Sequence, residues 1–334
     1  MKISKNTFIP DGAVSLSSFA AVTGKEEAEG PLGSYFDETS TDPYFGEKTW
    51  EAGEAALLKK TVLTALSKGG FTASDMDYAI AGDLLNQCVG STFGLKELHI
   101  PFIGIYGACS TMSEGLMLAA MIGNKGSHIL VATSSHFAAA ERQFRMPLHY
   151  GGVRTPTSQW TCTASGACVV SPGIDKPPYI TAITTGKIVD FGITDPNNMG
   201  AAMAPAAAYT VSKFLRDKNA KPEDYDFLVT GDLGVVGSTL FAELLEKEKI
   251  YLGDRHRDCG KMIFDPSYQD VHAGGSGCGC SASVLCGYFL PKLQKGEIKK
   301  ILFCATGALL SATTSQQGGT IPSVCHLVEI SYER

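Results

Sequence analysis

The sequence predicts an α/β fold made of two duplicated halves, each with a mixed, mostly parallel sheet covered by helices. Three observations carry this expectation. The segment DYAIAGDLLN (77–86) returns as DFLVTGDLGV (226–235). GSHILVATSS (126–135) returns as EIKKILFCATGA (297–308). In each half a glycine-bearing turn, GAC (107–109) or HAGGSGCGC (272–280), leads into a helix-like run.

The elements follow in order. EAGEAALLKKTVLTALSKGG (51–70) reads as a helix, and the polar turn TASDMD separates it from the continuous apolar strand Ala79–Ala81. Strands without polar alternation are those buried on both faces, as in parallel sheets. SEGLMLAAMIGNK (113–125) is the helix after GAC, and the strand 129–133 follows it. In the second half APAAAYTVSKFLRDKN (204–219), the turn KPEDYD, the strand Leu228–Thr230 and SASVLCGYFLPKLQKG (281–296) repeat that order. Repeated βαβ units with right-handed crossovers make a largely parallel sheet. The turn-rich SPGIDKPP (171–178) is the expected junction, giving halves 1–173 and 174–334.

Composition narrows the function. The 334 residues are 44% hydrophobic and 19% charged, the balance of a packed globular protein. A net charge of −6 argues against a broad nucleic-acid-binding face. The first twenty residues lack the apolar core of a signal peptide, and no run reaches the roughly 20 apolar residues of a membrane span. Membrane association is therefore expected to be peripheral. None of the ten cysteines forms a C-x-x-C pair, and Cys278-Gly279-Cys280 has no partner pair or spaced histidine for zinc. Reduced, buried cysteines are expected, with no metal and no cofactor.

Cys109 is the exception worth pursuing. It stands at the start of a helix, where unpaired N–H groups and the helix dipole favour a thiolate or a bound anion.

A duplicated half with a cysteine at a buried helix N-terminus resembles the thiolase-like superfamily of thiolases and ketoacyl synthases. Within it the whole chain is similar to the stage V sporulation protein AD family of spore-forming bacteria. The stretches that carry this are EGPLGSYFD (29–37), AGDLLNQ (81–87), GACSTMSEG (107–115), ATSSHFAAAERQFR (132–145), GITDPNNMGAAMAPAAA (192–208), AGGSGCGCSA (273–282) and ATGALLS (305–311). The resemblance implies a thiolase-like homodimer that binds pyridine-2,6-dicarboxylate (dipicolinate), free or with calcium, and serves its movement into the developing spore. It implies a place on the cytoplasmic side of the forespore inner membrane, alongside other stage V sporulation A proteins.

In the superfamily's enzymes a histidine follows the strand that here is FLVT, and a histidine or asparagine opens the loop that here is AGGSGCGC. This chain has Gly231-Asp232 at the first place and Gly275-Ser276 at the second. His272 lies upstream, out of register. Losing one oxyanion donor costs an enzyme roughly 2.7–4 kcal/mol of barrier stabilisation, so binding is expected rather than turnover. Cys109 is then the vestigial nucleophile. The competing readings are a working thiolase or ketoacyl-synthase-type acyltransferase using Cys109, and a purely structural subunit.

For a dicarboxylate ligand the expected contacts are Cys109 and Ser110 at the helix N-terminus, Asp83 and Asn86 at the end of the first-half strand, and His136 after the strand 129–133. Arg142 and Arg145 are three apart on one helix face, and His149 lies in the following loop with Arg154. Asp83 next to an anion implies a proton or a ligand-bound calcium between them, or else a helix-capping role.

Overall fold

The computed structural model describes residues 1–144 and 154–334. Ten strands form the body of one sheet. They are β1 (Val14–Thr23), β2 (Tyr78–Gly82), β3 (Phe102–Gly104), β4 (Ile129–Ser135), β5 (Ala164–Pro172), β6 (Tyr179–Thr184), β7 (Phe227–Thr230), β8 (His256–Asp258), β9 (Lys300–Ala308) and β10 (Ser323–Ser331). Their spatial order is β3-β2-β4-β5-β1 followed by β6-β10-β9-β7-β8.

The two runs are mirror images in order and share one pattern of parallel and antiparallel pairings. β2 pairs in parallel with β3 and β4, as β7 does with β8 and β9. β5 runs antiparallel between β4 and β1, as β10 does between β9 and β6. Strand n of the first run thus corresponds to strand n+5 of the second. The runs meet at one antiparallel pairing, Ser15 with Tyr179.

The helices keep the same correspondence. α1 (Trp50–Gly69) precedes β2, with Thr49 accepting from Ala52 N at its start and Gly70, at φ 71°, ending it. Its counterpart α5 (Met199–Lys218) precedes β7, capped by Asn198 and ended by Asn219 in the left-handed region. Between them come α2 (Val89–Leu95), α3 (Thr111–Ile122) and α4 (Phe137–Phe144). α6 (Gly234–Lys247) and α7 (Cys278–Val284) complete the set, and α7 runs on through a π-helical turn into Leu290–Gln294.

α1 covers β1 and β5, and α5 covers β9 and β10. The central helices cross over. α3 packs against β9 and β10 of the other half as well as its own β4, and α7 packs against β5, β4 and β1. Met112, Leu116, Val131, Cys280, Val284, Phe289 and Phe303 share the resulting core.

This crossover brings the start of α3 against the end of β9. A Cβ on Gly307 of β9 would sit 1.9 Å from the Gly107 carbonyl oxygen, so glycine is the residue that lets the two backbones meet. Among the described residues no helix is long and apolar enough to cross a membrane.

Candidate functional site

Cys109 sits in a tight turn between β3 and α3. Ala108 takes φ 49°, unusual for a residue with a Cβ, and delivers the thiol to the helix start. The turn is stitched by its own side chains: Ser110 Oγ donates to Gly107 O at 2.7 Å, and Thr111 Oγ1 to Ala108 O at 2.7 Å. Cys109 is buried.

Opposite the thiol stands Asp232, which leaves β7 fully buried. Its Oδ2 accepts from Gly277 N at 2.8 Å and from Ser276 Oγ at 3.1 Å. Oδ1 has no donor of conventional geometry, although the carboxyl interacts with the Cys109 thiol. Burial pushes the Asp232 carboxyl up to about 7, against opposing help from the thiol and Gly277. Burial likewise lifts the Cys109 thiol well above its usual range, and the neighbouring Asp232 charge lifts it further. The helix-start advantage expected for a thiolate is therefore overridden, and Cys109 is a neutral thiol.

The cavity beside Cys109 is walled by Leu84, Tyr106, Ala140, Phe144, Met199 and Leu310, with Ser276, Thr161 and Glu141 as polar members. Thr161 Oγ1 donates to Glu141 Oε1 at 2.9 Å. Residues at the starts of three helices line this space: Cys109 just before α3, Met199 opening α5, and Ser276 just before α7, whose Gly277 N–H is spent on Asp232. Such N-termini favour negative charge. The free volume is ≈ 30 Å³, room for a water-sized group. A ligand of a dozen heavy atoms fits only if the walls part.

The other expected residues are placed elsewhere. Asp83 is not on the cavity wall: its oxygens accept from Leu85 N, Ser91 N and Ser91 Oγ at 2.7–2.9 Å, which caps α2. Asn86 is exposed, its N–H given to Gln143. Ser110 is adjacent but its hydroxyl turns back to Gly107. His136 lines a different cleft, with Phe137, Trp160, Lys25 and Glu27. It shares a 2.7 Å hydrogen bond with the Pro43 carbonyl and, through Nδ1, accepts from Ala139 N at the start of α4. Burial holds its pKa down, so the ring is a neutral cap that ties the loop before α1 to α4.

Arg142 pairs with Glu51 and lies over the Trp50 ring, on the outer surface. Arg145 and His149 fall outside the described residues. Arg154 binds Asp270 and stacks on Trp160. His272 is drawn to Asp270 at 3.3 Å and does not stand in at the thiol.

Asp232, Tyr106 and Glu141 were not among the expected site residues. The Gly-Asp-Leu repeat was the available signal for Asp232, since it places Asp83 and Asp232 at matching stations. The duplicate of the Cys109–Asp232 pair is Cys278 with Asp83, whose charge also bears on that buried thiol.

Comparison with known proteins places this architecture. Solved structures share the fold at low identity. They include a cerulenin-bound OleA from Xanthomonas campestris (TM-score 0.60, 13% identity, covering 97% of this chain and 100% of that one). Another is 3-oxoacyl-[acyl-carrier-protein] synthase III from Aquifex aeolicus (TM-score 0.56, 14% identity, 96% and 100%). Stage V sporulation protein AD of Bacillus subtilis is 43% identical over 326 residues, 96% of this chain and 95% of that protein. The family model for stage V sporulation protein AD (SpoVAD) matches residues 4–331. With a thiolase-like frame, a relative this similar and a family match from end to end, the chain belongs to the stage V sporulation protein AD family.

Proposed function

We propose that this protein binds dipicolinate, free or as its calcium chelate, in the Cys109 cavity and serves the machinery that moves it into the developing spore. The observation that carries the reading is one enclosed space beside Cys109 lined by residues at the starts of three helices. Helix starts favour a carboxylate, and apolar walls suit the flat ring. The cavity opens by displacement of Phe144, Met199 and Leu310. Cys109 contacts the ligand, while Ser110 and Asp83 hold the surrounding turns and His136 ties α4 to the loop before α1. At roughly −0.5 kcal/mol per heavy atom the affinity is about −6 kcal/mol, or tens of micromolar.

The same site argues against acyl transfer. Among the described residues, the neutral thiol is opposed by a carboxyl and has beside it neither an imidazole to deprotonate it nor a donor to hold an oxyanion. Calorimetry tests both readings. Wild type is expected to bind dipicolinate saturably, and Ala140→Phe, which fills the cavity, to lose at least tenfold in affinity while still melting cooperatively. Equal affinity in the variant would place the site elsewhere. Intact-mass measurement with an acyl-coenzyme A is expected to show no adduct on Cys109; turnover there would restore the enzyme reading.

In the same proposal the chain consists of halves 1–173 and 174–334, forms a homodimer with a second copy, and is held peripherally at the forespore membrane beside other stage V sporulation A proteins. β3 supports the pairing. Among the described residues it pairs with β2 alone, and Phe102 and Ile103 stand exposed on it. An uncovered apolar edge strand invites a second copy. The double variant Phe102→Glu, Ile103→Glu should sediment at half the mass of wild type. A dimer that persists would exclude this edge.

A further inference from the structure

Resting on the dipicolinate reading, we propose that Asp232 selects the charge state of the ligand, so that the Cys109 cavity takes up a proton together with a carboxylate anion.

The argument begins with position. Asp232 lies directly behind two wall residues, Cys109 and Ser276, and interacts with both. Any anion seated at the start of α3 therefore shares a buried, poorly screened space with this carboxyl. The groups facing Asp232 are known from each neighbouring element. α3 presents the Cys109 thiol, and the start of α7 presents Ser276, Gly277 N–H and the thiols of Cys278 and Cys280. The end of β8 presents Asp258 and the residue after it the Cys259 thiol, and the short strand Trp160–Thr161 leads to the Cys162 thiol. Gln159 Nε2 donates to the Asp232 main-chain carbonyl at 2.8 Å. Glu141 of α4 stands on the cavity wall.

Of these, the charge that bears on Asp232 most strongly is another carboxylate, Asp258. Asp258 is itself spoken for, accepting from Thr230 Oγ1, Leu233 N, Gly234 N and Lys261 N. Those donors are spent on Asp258, whose own carboxyl burial raises, and none of them is left for Asp232. Asp232 holds Gly277 N–H and Ser276, but its Oδ1 is left without a conventional donor. That oxygen is the natural place for a proton.

With its pKa already raised by burial to about 7, the carboxyl is poised to respond to a third negative charge. A charge about 6 Å away at an effective dielectric constant of about 20 shifts a pKa by roughly two units, a hundredfold in protonation equilibrium. The bound complex then holds Asp232 protonated at a pH where the free protein has it largely ionised. Affinity for the anion falls as pH rises above 7, because the proton must be drawn from an emptier pool. A calcium chelate, whose charge is cancelled, needs no such proton.

The test is calorimetry of sodium dipicolinate into the full chain in buffers of differing ionisation enthalpy, at pH 6 and pH 8, with a calcium chelator present. Wild type is expected to take up nearly one proton per ligand at pH 8 and almost none at pH 6, with about tenfold weaker binding at the higher pH. Added calcium should abolish the uptake. Asp232→Asn should bind without uptake and about tenfold more tightly than wild type at pH 8. Binding without proton uptake in wild type, which requires no variant to fold, overturns this inference and leaves the dipicolinate reading standing. Undiminished uptake in Asp232→Asn overturns it too. Absence of binding to both proteins overturns the dipicolinate reading, and this one with it.

Discussion

Gly307→Ala is expected to destabilise the protein by about 3 kcal/mol or more and to expose Cys109 to alkylation. The added Cβ would lie 1.9 Å from the Gly107 carbonyl oxygen and 3.2 Å from Ser110 N, both main-chain atoms with no rotamer to change. Relief requires moving the turn that carries Ala108 and Cys109, or bending β9 away from it. β9 is paired with β7 as far as Cys304 and with β10 along its whole length, including Gly307 opposite Val324. The turn is held by the Ser110 and Thr111 hydroxyls, which are the weaker restraint. The turn should therefore yield, opening the cavity and unseating the thiol. A urea titration gives the stability loss, and iodoacetamide trapping followed by peptide mapping gives the exposure. Wild-type Cys109, buried and neutral, should react slowly at pH 8. A variant with unchanged midpoint and unchanged trapping would mean that the two halves do not touch here.

The second large effect is a loss of stability between mildly acid and mildly alkaline pH. Glu27 is buried and its carboxyl is raised from 4.5 to about 8, burial being the leading cause; Asp232 rises from 3.8 to about 7. Between the unfolded and folded values the native state binds protons that the unfolded chain has released. The sign follows: stability is full below about pH 4.5 for Glu27 and drains away as pH rises towards 8. For Glu27 alone the drop is on the order of 3–5 kcal/mol across that window. Glu27→Gln should flatten the curve, because its amide oxygen still accepts from Thr163 N, which now bonds Oε1 at 2.9 Å. Urea midpoints at pH 5 and pH 8 decide it. A variant with the same pH slope as wild type would show that Glu27 is ionised in the native state.

Much of the fold was legible because buried strands leave a strong mark. Ala79–Ala81 and Leu228–Thr230 are continuous small or apolar runs with the same Gly-Asp-Leu end, and they occupy corresponding places as β2 and β7. The matched helices were equally clear, α1 and α5 each ending at a left-handed residue, Gly70 and Asn219. The site was less legible, and for a definite reason. A repeat tells which residues are equivalent within each half, but not which half supplies the neighbour. Cys109 meets Asp232 because α3 packs across onto β9, whereas Asp83, though nearer in sequence, turns to Ser91. Position alone did not show the histidine's partners. Ser134-Ser135-His136 does end a strand, and the ring bonds the Pro43 carbonyl and Ala139 N, neither of which the sequence pattern announces.

The crossing of α3 and α7 bears on ancestry. Either half, synthesised separately, would present a bare strand surface and a helix with nothing to lie upon, and the cheapest remedy is a twin molecule supplying the same helix in return. The gene that was doubled must then have encoded an obligate pair of identical chains, and fusion only tied together what already associated. Severing the present chain between Pro172 and Tyr179 should give fragments that are insoluble apart and recombine when made together.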